Sequence, residues 1–156
     1  MKKFLFDCGT RDATASLGIF ILRVLTGLMM LIGHGIPKIQ HFATLKQNFP
    51  LAAVFPLNHM SSVVSLGACI TGEAVATVFV ILGLATRPAA FLLAFTMVVA
   101  AFQICGSAPW FLSPGGASAK EPALLYLIPM IALIFSGAGA MSLDAGIYRE
   151  KRNRRW

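Results

Sequence analysis

Formal charge is scarce in this chain: 13 basic and six acidic side chains in 156 residues, or 12% of the total. A soluble domain carries about 25%, so an ordinary water-facing surface is excluded. Cysteine is scarce too. The three present, Cys8, Cys69 and Cys105, form no CxxC pair, which excludes a zinc ribbon and a dithiol redox motif. Of the three histidines, His41 and His59 lack metal-site spacing, so no metal is expected. Neither a glycine-rich phosphate loop nor an RNA-binding signature occurs, and there is no low-complexity tract or internal repeat. What remains is apolar: 57% of the residues are hydrophobic, including 12 Phe and seven Met.

Four runs are long and apolar enough to read as membrane spans of about 20 residues. They cover about 16–36, 63–84, 88–106 and 122–139. Thr86-Arg87-Pro88 makes a tight charged turn that joins the second and third spans into a hairpin, with Arg87 at the membrane surface. Residues 108–120, rich in Pro, Gly and Ser, read as a loop, and Pro129 predicts a kink in span four. Leu51–Leu57 is too short to span and is expected against the outer interface. Asp7, Arg11 and Asp12 interrupt the N-terminal apolar stretch and no cleavage site follows span one, so that span is expected to be retained. The predicted architecture is an all-α, integral membrane four-helix bundle, a single domain over 1–156 with a basic tail at 140–156.

Both termini and the two–three turn then share one side. That side holds Lys2, Lys3, Arg11, Arg87, Arg149, Lys151, Arg152, Arg154 and Arg155, against Lys38, Lys46 and Lys120 on the other. The positive-inside rule puts both ends in the cytoplasm. The net charge of +7 is concentrated at a membrane exit, where anionic lipid explains it more simply than nucleic acid; no nucleic-acid partner is expected.

An ionised side chain in mid-membrane costs at least about 2.5–3.5 kcal/mol, so each needs a partner or a task. Counting about 1.5 Å per residue from the cytoplasmic ends puts Arg23 about 10 Å deep and Glu73 about 16 Å deep. An Arg23–Glu73 ion pair is therefore expected, either fixing helix packing or serving as a proton or ligand site. Arg23, His34 and Lys38 fall on roughly one helical face, with Thr26 and Gly27 on the same stripe. On span three, Thr96 and Gln103 share a face, and Gln103 lies near the depth of His34. Glu121 opens span four on that side, either as a first-turn acid or as part of a pocket. His34, Lys38, Gln103 and Glu121 together make a candidate ligand-binding pocket open to the exterior, suited to a quinone or a small polar ligand. His34 by itself reads as a structural hydrogen-bonding residue.

Cys69 and Cys105 fall at similar depths, so a bond between them is conceivable. Packing is the simpler role for Cys69, within a strip of Ser65, Ala68, Cys69, Gly72 and Ala76 suited to close helix contact.

The polar residues also form an ordered series: Leu22-Arg23, Gly33-His34-Gly35-Ile36-Pro37-Lys38, Gly72-Glu73, Gly83-Leu84-Ala85-Thr86-Arg87, Glu121-Pro122-Ala123-Leu124-Leu125 and Leu143-Asp144. From about Leu17 to Ala145 this series resembles the DoxX family, related in architecture to the DoxD and MauE groups. The resemblance implies a multi-pass bacterial inner (cytoplasmic) membrane protein and points to Arg23, His34, Lys38, Glu73, Arg87 and Glu121. It also implies association with quinone-linked thiosulfate oxidation, thiol and oxidative-stress complexes, or maturation of redox proteins. The chain has no haem-attachment motif, so no haem is expected and a redox-protein partner would supply the electron-carrying centre. The expected function is the membrane subunit of a quinone- or thiol-linked oxidoreductase system. The alternatives are a non-enzymatic scaffold or assembly factor using the basic tail, and a small transporter, for which a homo-oligomer would make up the few spans.

Overall fold

The structure, a computed structural model, describes residues 9–10, 12–52, 55, 57–113 and 118–147. The described residues are helical or irregular, with no strand among them. The basic residues 148–156, Cys8 and the N-terminal lysines lie outside them.

Among the described residues three helices are apolar and long enough to cross a membrane: α1 (Ala13–Gln40), α2 (Ser62–Leu82) and α3 (Thr86–Ile104). A shorter apolar helix, α4 (Glu121–Ser136), packs along α3 in the most extensive contact of the molecule. At about 1.5 Å per residue α1 is about 42 Å long and α4 about 24 Å, against a hydrocarbon layer of about 30 Å. The helices start where side chains can take up free N–H groups. Asp12 accepts from Ala15 N at 2.8 Å and Ser61 from Val64 N at 3.4 Å, each satisfying a donor that the first turn leaves open. α2 stops at Gly83, whose φ of 68° lies in the left-handed region that glycine enters without a Cβ clash. α4 continues through Pro129 as one helix.

α1, α2 and α3 each contain a widened, π-type turn, at Leu31–Gly35, Thr71–Ala76 and Ala100–Ile104. These turns hold His34, Glu73 and Gln103 respectively. Such insertions are rare and recur at functional sites. In α1 the wide turn ends two residues before Pro37, which has no N–H to continue the ladder.

The core is formed by Met30 of α1, Ala76 and Val80 of α2, Ala90, Leu93 and Met97 of α3, and Met130 and Leu133 of α4. The outward faces are equally apolar: Met29, Ile32, Phe91, Leu125, Ile128 and Phe135 are all exposed. A continuous apolar exterior of this kind needs lipid.

At one end, the start of α1, the α2–α3 turn and the segment after α4 meet. Asp144 accepts from Ala85 N at 2.8 Å, from Thr86 N at 2.9 Å and from the Thr86 hydroxyl at 3.1 Å, while its own N–H donates to Gly83 O at 2.9 Å. It thereby caps α3 from 58 residues away in sequence and holds Ala85 at a φ of 46°. Ala140 N donates to the Ser16 hydroxyl at 3.1 Å, and Arg87 donates to Phe135 O at 3.4 Å. Arg23, 1% exposed, donates to Met141 O and lies over the Phe20 ring.

The expected Arg23–Glu73 ion pair does not form. Arg23 lies level with Gly83, where an added Cβ would run into its guanidinium. Counting depth from helix starts fails because Ser16 and Ile19 of α1 lie against Gly139 and Ala140 of the segment after α4, so that α1 reaches the level of the α2–α3 turn only at Arg23. Glu73 is instead level with Gly35, whose absent side chain leaves room for the Glu73 carbonyl: a Cβ there would sit 2.9 Å from that oxygen.

Candidate functional site

The close approach of Gly35 to Glu73 brings Lys38, one turn further along α1, onto the Glu73 carboxylate. Their side chains form an ion pair between Lys38 Nζ and Glu73 Oε2. Cys69 precedes Glu73 by four residues on α2 and so shares its face. Its thiol donates to Glu73 Oε1 at 3.3 Å, and Lys38 Nζ lies 3.3 Å from the same sulfur. The Glu73 side chain is 4% exposed and that of Lys38 is 23% exposed. A charge buried this deeply is tolerated because its counter-charge is at hydrogen-bond range.

The three groups face a cavity of about 340 Å³ between α2, α3 and the segment that joins α1 to α2. Leu92, Phe95 and Val99 of α3 make an apolar wall, with Thr96 among them, and Phe49, Leu57 and Met60 close it from the connecting segment. That segment is tied down where the Ser65 hydroxyl donates to Pro50 O at 3.3 Å. The volume falls in the range of small-molecule sites, about 300–1,000 Å³, and so does the composition: apolar walls with a few convergent polar groups. An ammonium N–H facing this cavity can hold a ligand oxygen, while the walls take a ring or a short chain.

Of the four residues expected to form one pocket, the structure brings only Lys38 to this cavity. His34 is half-buried against α4, its ring edge-on to Tyr126 with centroids 5.5 Å apart, and its Nδ1 is buried without a hydrogen bond. The wide turn at Leu31–Gly35 inserts an extra residue and breaks the four-residue register that would align His34 with Lys38. Gln103 lies half-buried in the last wide turn of α3. Glu121 accepts from Leu112 N at 2.9 Å, a first-turn acid clasping the loop before its own helix. Beside it Lys120 lies over Trp110, 4.8 Å from the ring centre. The grouping of His34, Lys38, Gln103 and Glu121 is therefore replaced by Lys38, Cys69 and Glu73.

Cys69 was the residue sequence reasoning undervalued. It and Cys105 are both free thiols, and the small-residue strip divides in two. Ser65, Ala68 and Cys69 line the cavity, whereas Gly72 and Ala76 are buried in helix contacts. The available signal was the four-residue spacing from Cys69 to Glu73, which puts a thiol next to any carboxylate retained in a membrane. Arg87, expected at a surface turn, is buried at the mouth of α3. Among the described residues no group of three or more His, Cys, Asp or Glu gathers where it could hold a metal ion.

The model of the DoxX family matches residues 18–106, more than half of the chain, including all of α2 and α3 and most of α1. A protein of Haemophilus influenzae (strain Rd), itself described as uncharacterized, is 31% identical over 131 residues, covering 83% of this chain and 90% of that relative. No solved structure matches.

Proposed function

The chain belongs to the DoxX family, and from that premise we propose that it is the membrane subunit of a quinone- or thiol-linked oxidoreductase system in the bacterial inner membrane. The observation that carries the reading is the cavity at which Lys38, Glu73 and Cys69 converge. A quinone fits its chemistry: Lys38 donates to a ring oxygen, the walls of Leu92, Phe95 and Val99 hold the ring, and Glu73 accepts or supplies a proton beside it. The quinone brings two-electron redox chemistry. Electrons reach it from a partner protein, because the sequence has neither a CxxC pair nor a haem-attachment motif. In this reading α4 completes a four-helix bundle, and the end closed by Arg23 and Asp144 faces the cytoplasm.

Purification of the full chain from native membranes in mild detergent, with mass spectrometry of both small molecules and co-purifying proteins, tests it. The expected result is a bound quinone and a redox protein with the wild type, and the redox protein without quinone in Lys38→Met. A wild-type protein that carries no quinone and no redox partner would contradict the proposal.

A further inference from the structure

The three polar groups at the cavity balance their charges in a way that suits one particular reaction. With Lys38 as an ammonium and Glu73 as a carboxylate the cluster is neutral, and Cys69 completes it as a thiol. Ionising an isolated thiol in an apolar wall would create an unpaired buried charge, which is heavily penalised. Here the proton has somewhere to go. Cys69 Sγ donates to Glu73 Oε1 at 3.3 Å and Lys38 Nζ stands 3.3 Å from the sulfur. Moving that proton from Sγ to Oε1 exchanges an ammonium–carboxylate pair for an ammonium–thiolate pair. The number of charges is unchanged and both remain paired. The thiolate is the form that attacks sulfur, and a cavity of about 340 Å³ opens onto it.

From this juxtaposition we infer that Cys69 is a thiol-exchange site, which takes up a small apolar disulfide in the cavity and forms a mixed disulfide with it. The inference rests on the cavity being a ligand site and specifies the thiol side of that reading. Glu73 takes the Cys69 proton, the thiolate attacks one sulfur of the disulfide, and the bond between the two ligand sulfurs breaks. The departing thiolate then collects the proton from Glu73 and leaves as a thiol. The Cys69 sulfur is oxidised and the departing sulfur reduced, so the disulfide is the only oxidant required. A second small thiol reverses the step. Lys38 holds the negative charge on whichever sulfur carries it, and the apolar lining selects against anionic disulfides.

The test uses the full chain in lipid nanodiscs with Cys8→Ser and Cys105→Ser, so that Cys69 is the remaining thiol. Capture of dithiodipyridine, an apolar disulfide, is followed by thiopyridone release and by mass spectrometry of the peptide carrying Cys69. The expected result is fast capture by this reagent, much slower capture by the dianionic disulfide of thionitrobenzoate, and about a hundredfold loss of rate in Glu73→Gln, the scale of a removed general base. Should Glu73→Gln fail to fold, Ala100→Phe carries the test. It keeps all three polar groups, fills the cavity, and is expected to abolish capture. A Cys69 that reacts at the same rate without Glu73, or that reacts equally with both disulfides, would overturn the inference. A wild-type protein that binds a short-tailed quinone and never forms the mixed disulfide overturns this inference alone; one that does neither overturns the function proposed above as well.

Discussion

Among the described residues two polar clusters are buried in otherwise apolar surroundings, and they are built differently. At the α2–α3 turn, Asp144, Thr86, Arg87 and Arg23 direct their hydrogen bonds chiefly at backbone: Asp144 to Ala85 N and Thr86 N, Arg87 to Phe135 O, Arg23 to Met141 O. At the cavity, Lys38, Cys69 and Glu73 bond to one another and border open space. The first cluster satisfies helix ends and ties the chain after α4 to the turn, which is work of folding. The second leaves its polar groups beside a volume that the chain does not fill. A buried charge in a membrane protein is a functional candidate by default, but the contrast shows how to rank candidates: by whether the bonding partners are main chain or one another, and by what lies alongside.

The comparison predicts opposite outcomes for mutations at the two places. The largest loss of stability is expected for Asp144→Ala, which removes three accepted bonds at once and should cost about 3 kcal/mol, read as earlier SDS-driven unfolding in mixed micelles. Gly83→Ala comes next, at about 2 kcal/mol. It forces a Cβ into the left-handed conformation and pushes Arg23 off Met141, so its cost should shrink in an Arg23→Ala background. Glu73→Gln should cost less, about 1.5 kcal/mol, because the amide still accepts from Lys38, whose side chain is 23% exposed, yet it should abolish ligand-linked activity. If Glu73→Gln destabilises more than Asp144→Ala, the distinction between the clusters fails. Glu121→Ala should be the mildest, about 0.5 kcal/mol for one exposed bond to Leu112 N, with ligand binding unchanged; a loss of binding there would restore the loop side as part of the site.

Much of the fold was legible in the sequence. Low charge and long apolar runs located the three helices long enough to span, with Asp12, Ser61 and Gly83 at their ends by ordinary capping chemistry, whereas the fourth expected span, 122–139, is the shorter α4, Glu121–Ser136. The structure extends the first helix beyond 16–36, to Ala13–Gln40; the depth count for Arg23 failed because α1 is displaced along its axis relative to α2, with Arg23 beside Gly83. The wide turns were not legible, because a one-residue insertion in a helix leaves no compositional trace; they separate His34 from Lys38 and place Glu73 beside Gly35. Lys38 and Glu73 were both singled out, but in different groups, since pairing them requires the relative shift of two helices. Asp144 stood in the Leu143-Asp144 fragment without a role, and none can be read there: its partners are 58 and 59 residues away.

In the function proposed above, the ligand binds in the cavity at Lys38, Cys69 and Glu73. Photo-crosslinking of the nanodisc-embedded chain with an azidoquinone, followed by peptide mapping, tests it most directly. Label is expected on α2 around Ser65 to Glu73 and on the connecting segment at Phe49, Leu57 or Met60, and is lost in Ala100→Phe. Label confined to Tyr126 and His34, or to the loop beside Glu121, would contradict it.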